Sequence, residues 1–227
     1  MGAIAAGLQA CLERIAEACG RARRDPAEVT LLAVAKTFPA EAVREAYAAG
    51  HTAFGESYIQ EALAKQDALS DLPLEWHFIG PIQSNKTRPI AERFAWAHGV
   101  DRLKIAQRLA EARPAALPPL NVCIQVNVSG EASKHGVAPD LALALAREVA
   151  ALPRLRLRGF MAIPRPTPDR AEQRAQFARL RQLYEQSDGL DLDTLSMGMS
   201  DDLEAAVMEG ATIVRIGTAI FGKRDYS

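Results

Sequence analysis

Short apolar runs alternate with longer amphipathic stretches along most of the chain. The runs are rich in aliphatic, β-branched and aromatic residues, which is typical of buried strands. Stretches such as "AEAVREAYAAG" and "APDLALALAREVAAL" instead repeat their apolar residues at the period of a helix. The pattern predicts eight strands, with a helix between each pair and one more before the first, at residues 29–36, 52–56, 75–80, 94–99, 120–128, 155–163, 194–199 and 212–217.

Strict alternation of strand and helix predicts parallel strands with the helices outside. Eight such units in a chain of 227 residues favour a closed (β/α)8 barrel of the TIM type, with an extra N-terminal helix, over an open doubly wound sheet. No GxGxxG motif follows a strand, which weakens the dinucleotide-binding alternative. Because no compositional break is visible, we expect one α/β barrel domain over residues 1–227.

The composition argues against several classes of partner. With 24% charged residues and a formal net charge of −1, the chain lacks the basic character that nucleic acid or an anionic membrane attracts. No apolar run could span a bilayer, and the N-terminal stretch lacks the basic region of a signal peptide. The three cysteines show neither a CxxC pair nor zinc-site spacing. We therefore expect a cytoplasmic protein with reduced thiols, no metal site, and no nucleic-acid or membrane partner.

A lysine ends the first apolar strand. In "LLAVAKTFP", residues 31–39, Lys36 follows a run of small and aliphatic residues. A lysine is seldom buried without a partner, since its ammonium is strongly hydrated. Functional groups of a TIM barrel lie in the loops at the carboxyl ends of the strands. Lys36 is therefore the first candidate functional residue.

The loops after strands 7 and 8 carry a second candidate feature. The phosphate sites of TIM barrels recur at these two loops. "GMSDDLEAA" places Ser200 at a predicted helix N-cap, and "GTAIFG" supplies Gly217, which permits close backbone approach, and the hydroxyl of Thr218. Each feature alone is better explained by plain helix capping or a plain turn, because capping is so common. Their occurrence after both strands predicts a phosphate site.

Arg215 connects these two features. It lies two residues before Gly217 on the same face of strand 8, and in a closed barrel strand 8 pairs with strand 1, at a spacing of roughly 5 Å. A partly desolvated lysine beside a second cation is shifted toward the neutral amine, which condenses with aldehydes. A ligand that carries both a phosphate and an aldehyde within reach of Lys36 matches pyridoxal 5′-phosphate. It equally matches the substrate of a Schiff-base aldolase that acts on phosphosugars. The residues by themselves leave both open.

Several longer segments resemble one family. "LLAVAKTFP", "AFGESYIQEA", "WHFIGPIQSNK", "LRGFMAI", "LSMGMSDDLEAA" and "TIVRIGTAIFGKR" are similar to the corresponding blocks of the pyridoxal-phosphate homeostasis proteins, from about residue 29 onward. The resemblance implies a barrel like the N-terminal domain of bacterial alanine racemase, with pyridoxal phosphate held as an internal aldimine. By resemblance, Lys36 is the Schiff-base lysine and Arg215 faces the pyridine nitrogen. The phosphate ligands implied are Ser200, Gly217 and Thr218, with a backbone contribution from Met199.

Four further positions are less determined. The resemblance implies a cofactor contact at residue 57, where the family usually has the asparagine of "FGEN" and this chain has the Ser57 of "FGES". Serine is shorter than asparagine and lacks its amide, which puts this contact in question. His77, in an aromatic strand, is either a cofactor neighbour or a core histidine bonded to the backbone. Lys134 and His135 lie in the polar loop "SGEASKHG", where they are either surface residues or part of the mouth of the site.

Two features favour a carrier of the cofactor over an enzyme. An arginine at the pyridine nitrogen leaves the ring a weaker electron sink than an acidic partner would. Racemisation also needs an acid/base group on each face of the substrate carbon, which alanine racemase takes from an additional domain, whereas only "TAIFGKRDYS" follows Gly217. We expect a monomer that buffers pyridoxal phosphate or delivers it to apo enzymes that depend on it. A racemase-like enzyme of low activity is the alternative, and the aldolase comes third.

Overall fold

The computed structural model describes residues 2–131 and 135–222. Within them, eight parallel strands close into a barrel in chain order, and the eighth pairs back onto the first. The strands are β1 Thr30–Val34, β2 Ala53–Glu56, β3 Glu75–Phe78, β4 Trp96–Val100, β5 Leu120–Gln125, β6 Leu155–Met161, β7 Thr194–Ser196 and β8 Ile213–Ile216. The predicted TIM-type barrel is confirmed. Most strands end earlier than predicted, because the last apolar residues of several runs belong to the loops rather than to the hydrogen-bonded ladder.

Helices connect successive strands on the outside of the barrel. They are α1 Ala3–Ala22, α2 Ala40–Ala48, α3 Ile59–Ala68, α4 Thr87–Arg93, α5 Leu103–Ala112, α6 Pro139–Ala150, α7 Arg170–Glu185, α8 Leu203–Met208 and α9 Thr218–Phe221. The predicted extra N-terminal helix is α1, and it packs against α8 and α9. Its Gly7 makes this contact close, since a Cβ there would lie 2.7 Å from the carbonyl oxygen of Ala219.

The alternation of side chains along each strand divides the core in two. Residues facing inward, among them Leu32, Trp96, Cys123 and Met161, fill the barrel. Residues facing outward pack with the apolar sides of the helices into a second, larger cluster. Burying each large aliphatic side chain contributes about 1.5–3 kcal/mol, so both layers stabilise the closed sheet. Along the residues that the structure describes, no helix combines the length and apolar character that a membrane crossing requires.

Candidate functional site

A cavity of about 1110 Å³ opens at the carboxyl ends of the strands, where a TIM barrel carries its functional groups. It is large enough for a small cofactor, since ligand pockets usually span ~300–1,000 Å³. Seven of the eight residues predicted for the site line it together. They are Lys36, Ser57, Met199, Ser200, Arg215, Gly217 and Thr218.

Lys36 lies in a turn rather than at the end of a strand. The ladder of β1 stops at Val34, two residues earlier than predicted, and Lys36 is half-buried at the cavity wall. The turn is closed by the N–H of Phe38, which donates to the carbonyl of Ala35 at 3.1 Å. Thr37, directly after the lysine, has a φ of 70°. A β-branched residue in this left-handed region is a conformational outlier, so the turn is strained.

A buried ionic cluster lies behind this turn. Lys65 donates to the carbonyl of Ala35 at 2.6 Å and to Glu56 Oε1 at 2.5 Å, and its ammonium lies 2.8 Å from Glu61 Oε1. Glu61 Oε1 accepts the N–H of Thr37 at 2.5 Å. Burial raises the pKa of the Glu56 carboxyl to about 7, although the nearby ammonium of Lys65 opposes the shift. Sequence reasoning missed this cluster, for which the only signal was the i,i+4 spacing of Glu and Lys in "SYIQEALAK".

The loop after β7 differs from the prediction at Ser200. The helix α8 begins at Leu203 with Asp202 as its N-cap residue, so Ser200 is not the cap and lies in the preceding loop. The acidic side chain of Asp202 stabilises that loop by accepting the N–H of Met199 at 2.6 Å. Ser200 remains half-buried in the cavity wall, and its carbonyl accepts a bond from Arg14 of α1 at 2.9 Å.

The loop after β8 has the predicted geometry. Gly217 is the N-cap residue of α9, whose first turn follows at Thr218. The first N–H groups of a helix have no acceptor within the helix, and they favour an anion. Gly217, Thr218 and Ala219 all line the cavity beside Ser200. Two loops that carry hydroxyl groups and backbone N–H groups therefore line the same cavity.

Arg215 forms part of the cavity floor. Its guanidinium is buried and donates to the carbonyl of Ser196 at 2.6 Å, to Ser196 Oγ at 2.8 Å and to the carbonyl of Ala162 at 2.8 Å. Burial lowers the pKa of this guanidinium to about 10, and the nearby Asp202 opposes the shift. At neutral pH, Arg215 is therefore a fixed cation whose orientation is set by two carbonyl groups and the hydroxyl of Ser196.

The structure places His77 inside the barrel and not in the cavity lining. Its Nε2 lies 2.9 Å from Glu75 Oε1, and its Nδ1 lies 3.0 Å from Nε2 of His98. The other nitrogen of His98 lies 2.8 Å from Ser196 Oγ, which also binds Arg215. Burial lowers the pKa values of both histidines. Of the two interpretations of His77, the core histidine is the one that the contacts support, although its partners are side chains rather than the backbone.

The remaining predicted positions lie at the edge of the site or outside the described residues. Ser57 lines the cavity, as do Tyr58 and Ile163, two exposed residues that sequence reasoning did not single out. His135 is exposed, and its carbonyl accepts a bond from Gln125 at 3.3 Å. Lys134 lies outside the described residues.

Comparison with known proteins identifies the relatives of this chain. The family model described as "Alanine racemase, N-terminal domain" matches residues 8–225. A protein of Pseudomonas aeruginosa named "Pyridoxal phosphate homeostasis protein" is 69% identical over 226 residues, covering 100% of this chain and 98% of the relative. The protein of the same name from Escherichia coli K12 is 53% identical over 235 residues, covering 100% and 99%.

A solved structure extends this similarity to a relative with a ligand. PipY of Synechococcus elongatus, in a structure described as having pyridoxal phosphate (PLP) bound, superposes with a TM-score of 0.79. It is 42% identical in sequence, and the match covers 92% of this chain and 100% of PipY. The barrel, and the cavity at the carboxyl ends of its strands, therefore belong to a scaffold on which a relative binds that ligand.

Proposed function

This chain belongs to the family of pyridoxal phosphate homeostasis proteins, and from that premise we propose that it binds pyridoxal 5′-phosphate and buffers or delivers it. The observation that carries the proposal is the composition of the cavity. One lysine, one buried arginine and two loops with hydroxyl and backbone donors line the same space. This donor set fits a phosphorylated aldehyde with a ring nitrogen, because the phosphate, the aldehyde and the nitrogen each have a matching group in the chain.

Each lining residue has a specific task in this proposal. Lys36 holds the cofactor covalently by forming a Schiff base with its aldehyde. The hydroxyls of Ser200 and Thr218, with the N–H groups at Gly217, bind the phosphate, because charge-assisted hydrogen bonds are about twice as strong as neutral ones. Arg215 faces the pyridine nitrogen. When bound, the cofactor supplies an electrophilic aldehyde and an electron-withdrawing ring.

The properties of Arg215 support a carrier. Arginine has donors only and keeps its charge at neutral pH, so it cannot share a proton that would sit on the ring nitrogen. Its orientation is already set by Ser196 and Ala162, through three hydrogen bonds of 2.6–2.8 Å. An unprotonated pyridine is a weak electron sink, which lowers the reactivity of any bound amino acid.

A racemase-like enzyme is the second candidate, and Tyr58 is the observation that favours it. Tyr58 lines the cavity and carries a hydroxyl that could act as an acid or base. However, Tyr58 is 56% exposed, whereas proton transfer at carbon is favoured in a site closed to water. The carrier therefore remains the proposal, and a change of Tyr58 to phenylalanine separates the two functions.

The cellular setting is part of the same proposal. Cys11, Cys19 and Cys123 are all buried and free, as is usual in a reducing compartment, so we place the protein in the cytoplasm. There it acts as a monomer, and its partners are apo enzymes that take up pyridoxal phosphate.

Borohydride reduction tests the covalent part of the proposal. The protein is mixed with pyridoxal phosphate, its near-visible absorbance is recorded, and the reduced adduct is located by mass spectrometry. We expect the adduct on Lys36 in the native protein, its loss in Lys36→Ala, and its retention in Lys86→Ala, a matched control at a second lysine of the cavity. An adduct found only on a lysine other than Lys36 would refute the assignment.

A further inference from the structure

We propose that Lys65 and Glu61 of α3 are positioning residues that hold the turn carrying Lys36 in the conformation required for its reaction. This inference rests on the proposed function and extends it to residues outside the cavity lining. Lys65 Nζ binds the carbonyl of Ala35 at 2.6 Å, and Glu61 Oε1 binds the N–H of Thr37 at 2.5 Å. The helix thus contacts the residues on both sides of Lys36.

The strain in the turn explains why it needs this support. A turn with positive φ at its third residue favours glycine or asparagine there. This chain has Thr37, with a φ of 70°, at that position. Strained conformations of this kind persist only where the surrounding structure determines them, and they cluster at functional sites. The bond from the N–H of Thr37 to Glu61 is the contact that acts directly on the strained residue.

The burial of Lys65 supports a positioning role. Only 5% of this residue is exposed, and a buried ammonium is costly unless its donors are satisfied. Lysine has three donors, and three acceptors surround it: the carbonyl of Ala35 and the Oε1 atoms of Glu56 and Glu61. Apolar residues in place of the whole cluster, Lys65 together with its carboxylate partners, could fill this space at lower cost. The lysine adds what an apolar residue cannot, which is a bond to the backbone immediately before Lys36.

The reaction supported by this arrangement is a condensation. The neutral amine of Lys36 attacks the cofactor aldehyde, a carbon–nitrogen double bond replaces the carbon–oxygen double bond, and the carbonyl oxygen leaves as water with the two hydrogens of the amine. No oxidant or reductant is required. Such a reaction depends on the position of the attacking nitrogen, and a displacement of 1 Å can cost about 10²-fold in rate. The phosphate is bound by different loops, those after β7 and β8, so its affinity should not depend on α3.

Two measurements on the same variants test this separation. The first is the rate at which the absorbance band of added pyridoxal 5′-phosphate shifts to longer wavelength as the Schiff base forms. The second is the affinity for pyridoxine 5′-phosphate, which has the phosphate but no aldehyde. We expect Lys65→Met and Glu61→Ala to slow the first by about tenfold or more and to change the second by less than about twofold. Lys104→Met, a change of an exposed lysine on α5, is the matched control and should alter neither.

A conservative variant tests whether the contact to Thr37 is responsible. Glu61→Gln keeps a side-chain oxygen that can accept this N–H, so its rate should stay close to the native rate. If Lys65→Met fails to fold because Glu56 loses its partner, the Glu61 variants decide the question. Glu61 has a side chain that is 30% exposed, so its replacement should be tolerated.

The outcomes distinguish this inference from the function on which it rests. Native protein that forms no adduct on Lys36 would overturn the proposed function and the positioning role together. A native adduct with an unchanged rate in Glu61→Ala and Lys65→Met would overturn the positioning role alone. Equal losses of reaction rate and of pyridoxine 5′-phosphate affinity would also overturn it, because they would indicate general structural damage.

Discussion

Removing two hydroxyls from the cavity should weaken binding of the phosphorylated cofactor selectively. The perturbation is the double substitution Ser200→Ala with Thr218→Val, at the two loops that follow β7 and β8. A hydrogen bond to a charged group is worth about 1.5–3 kcal/mol. Ser200 is half-buried and Thr218 is exposed, so we use the lower end for each. The sum of ~3 kcal/mol corresponds to about a 10²-fold loss in affinity for pyridoxal 5′-phosphate.

The assay compares two ligands that differ only in the phosphate. Apparent dissociation constants for pyridoxal 5′-phosphate and for pyridoxal are measured by absorbance titration of the native and substituted proteins. Pyridoxal should bind with nearly unchanged affinity, because it lacks the group that the two hydroxyls contact. The melting temperature should shift by no more than about 4 °C, since each substitution of an accessible residue usually changes the free energy of unfolding by less than ~0.5 kcal/mol and the variant carries two.

The control and the refuting result follow from the same reasoning. Thr52→Val with Ser70→Ala removes the same two hydroxyl types from exposed positions away from the cavity, and it should leave both affinities unchanged. If Ser200→Ala with Thr218→Val weakened both ligands equally, these residues would not hold the phosphate. The cofactor orientation proposed here would then be wrong.

Three further predictions concern the covalent link, the barrel and its pH response. Lys36→Ala should abolish the shift of the cofactor absorbance to longer wavelength that marks the Schiff base, without altering the far-ultraviolet circular dichroism. A retained shift would contradict the assignment. Gly159→Ala should lower the free energy of unfolding, measured in urea, by about 3–5 kcal/mol, because a Cβ there would lie 1.8 Å from the carbonyl oxygen of Thr194. The control Gly189→Ala, where the added Cβ meets no atom within 4 Å, should lower it by only about 1 kcal/mol. Equal losses in the two variants would contradict this reasoning. Burial lowers the pKa of His98, so the unfolded chain binds more protons than the folded one. The free energy of unfolding should therefore fall as the pH drops below about 6.5, the ordinary pKa of histidine. In urea titrations His98→Gln should show a smaller fall with pH, and an unchanged fall would argue against this histidine as its source.

The barrel could be predicted because its signals are local and periodic. Each strand is a short apolar run, and each helix repeats its apolar residues at the helical period. Eight such strand–helix units favour a parallel sheet that closes into a barrel. The ends of these elements depend on weaker signals. Ser200 resembled an N-cap, but Asp202 is the N-cap residue, and its carboxylate accepts the N–H of Met199 in the loop before the helix. Lys36 similarly lies beyond the ladder of β1, in a turn that no local pattern distinguishes from the strand.

The candidate site was only partly predictable for a different reason. Positions at the carboxyl ends of strands could be grouped, because the topology of a closed barrel brings them together. The contacts of Lys65 with the turn at Ala35 depend on how α3 packs against the barrel, and nothing in the local sequence shows that. Similarly, Arg14 reaches the loop at Ser200 across 186 positions of sequence. His77 was ambiguous because a strand pattern gives the facing of a side chain but not its depth.

The central claim is that the protein carries pyridoxal phosphate and does not turn over amino acids. Its most direct test is solvent deuterium incorporation at Cα of common amino acids, measured on the loaded protein beside the reactivation of an apo enzyme. A carrier should show no exchange faster than about 1 s⁻¹, below the enzymatic median of ~10 s⁻¹, and it should restore activity to the apo enzyme. Rapid exchange into one particular amino acid, lost in Tyr58→Phe and unaccompanied by cofactor transfer, would contradict the carrier and identify a racemase-like enzyme.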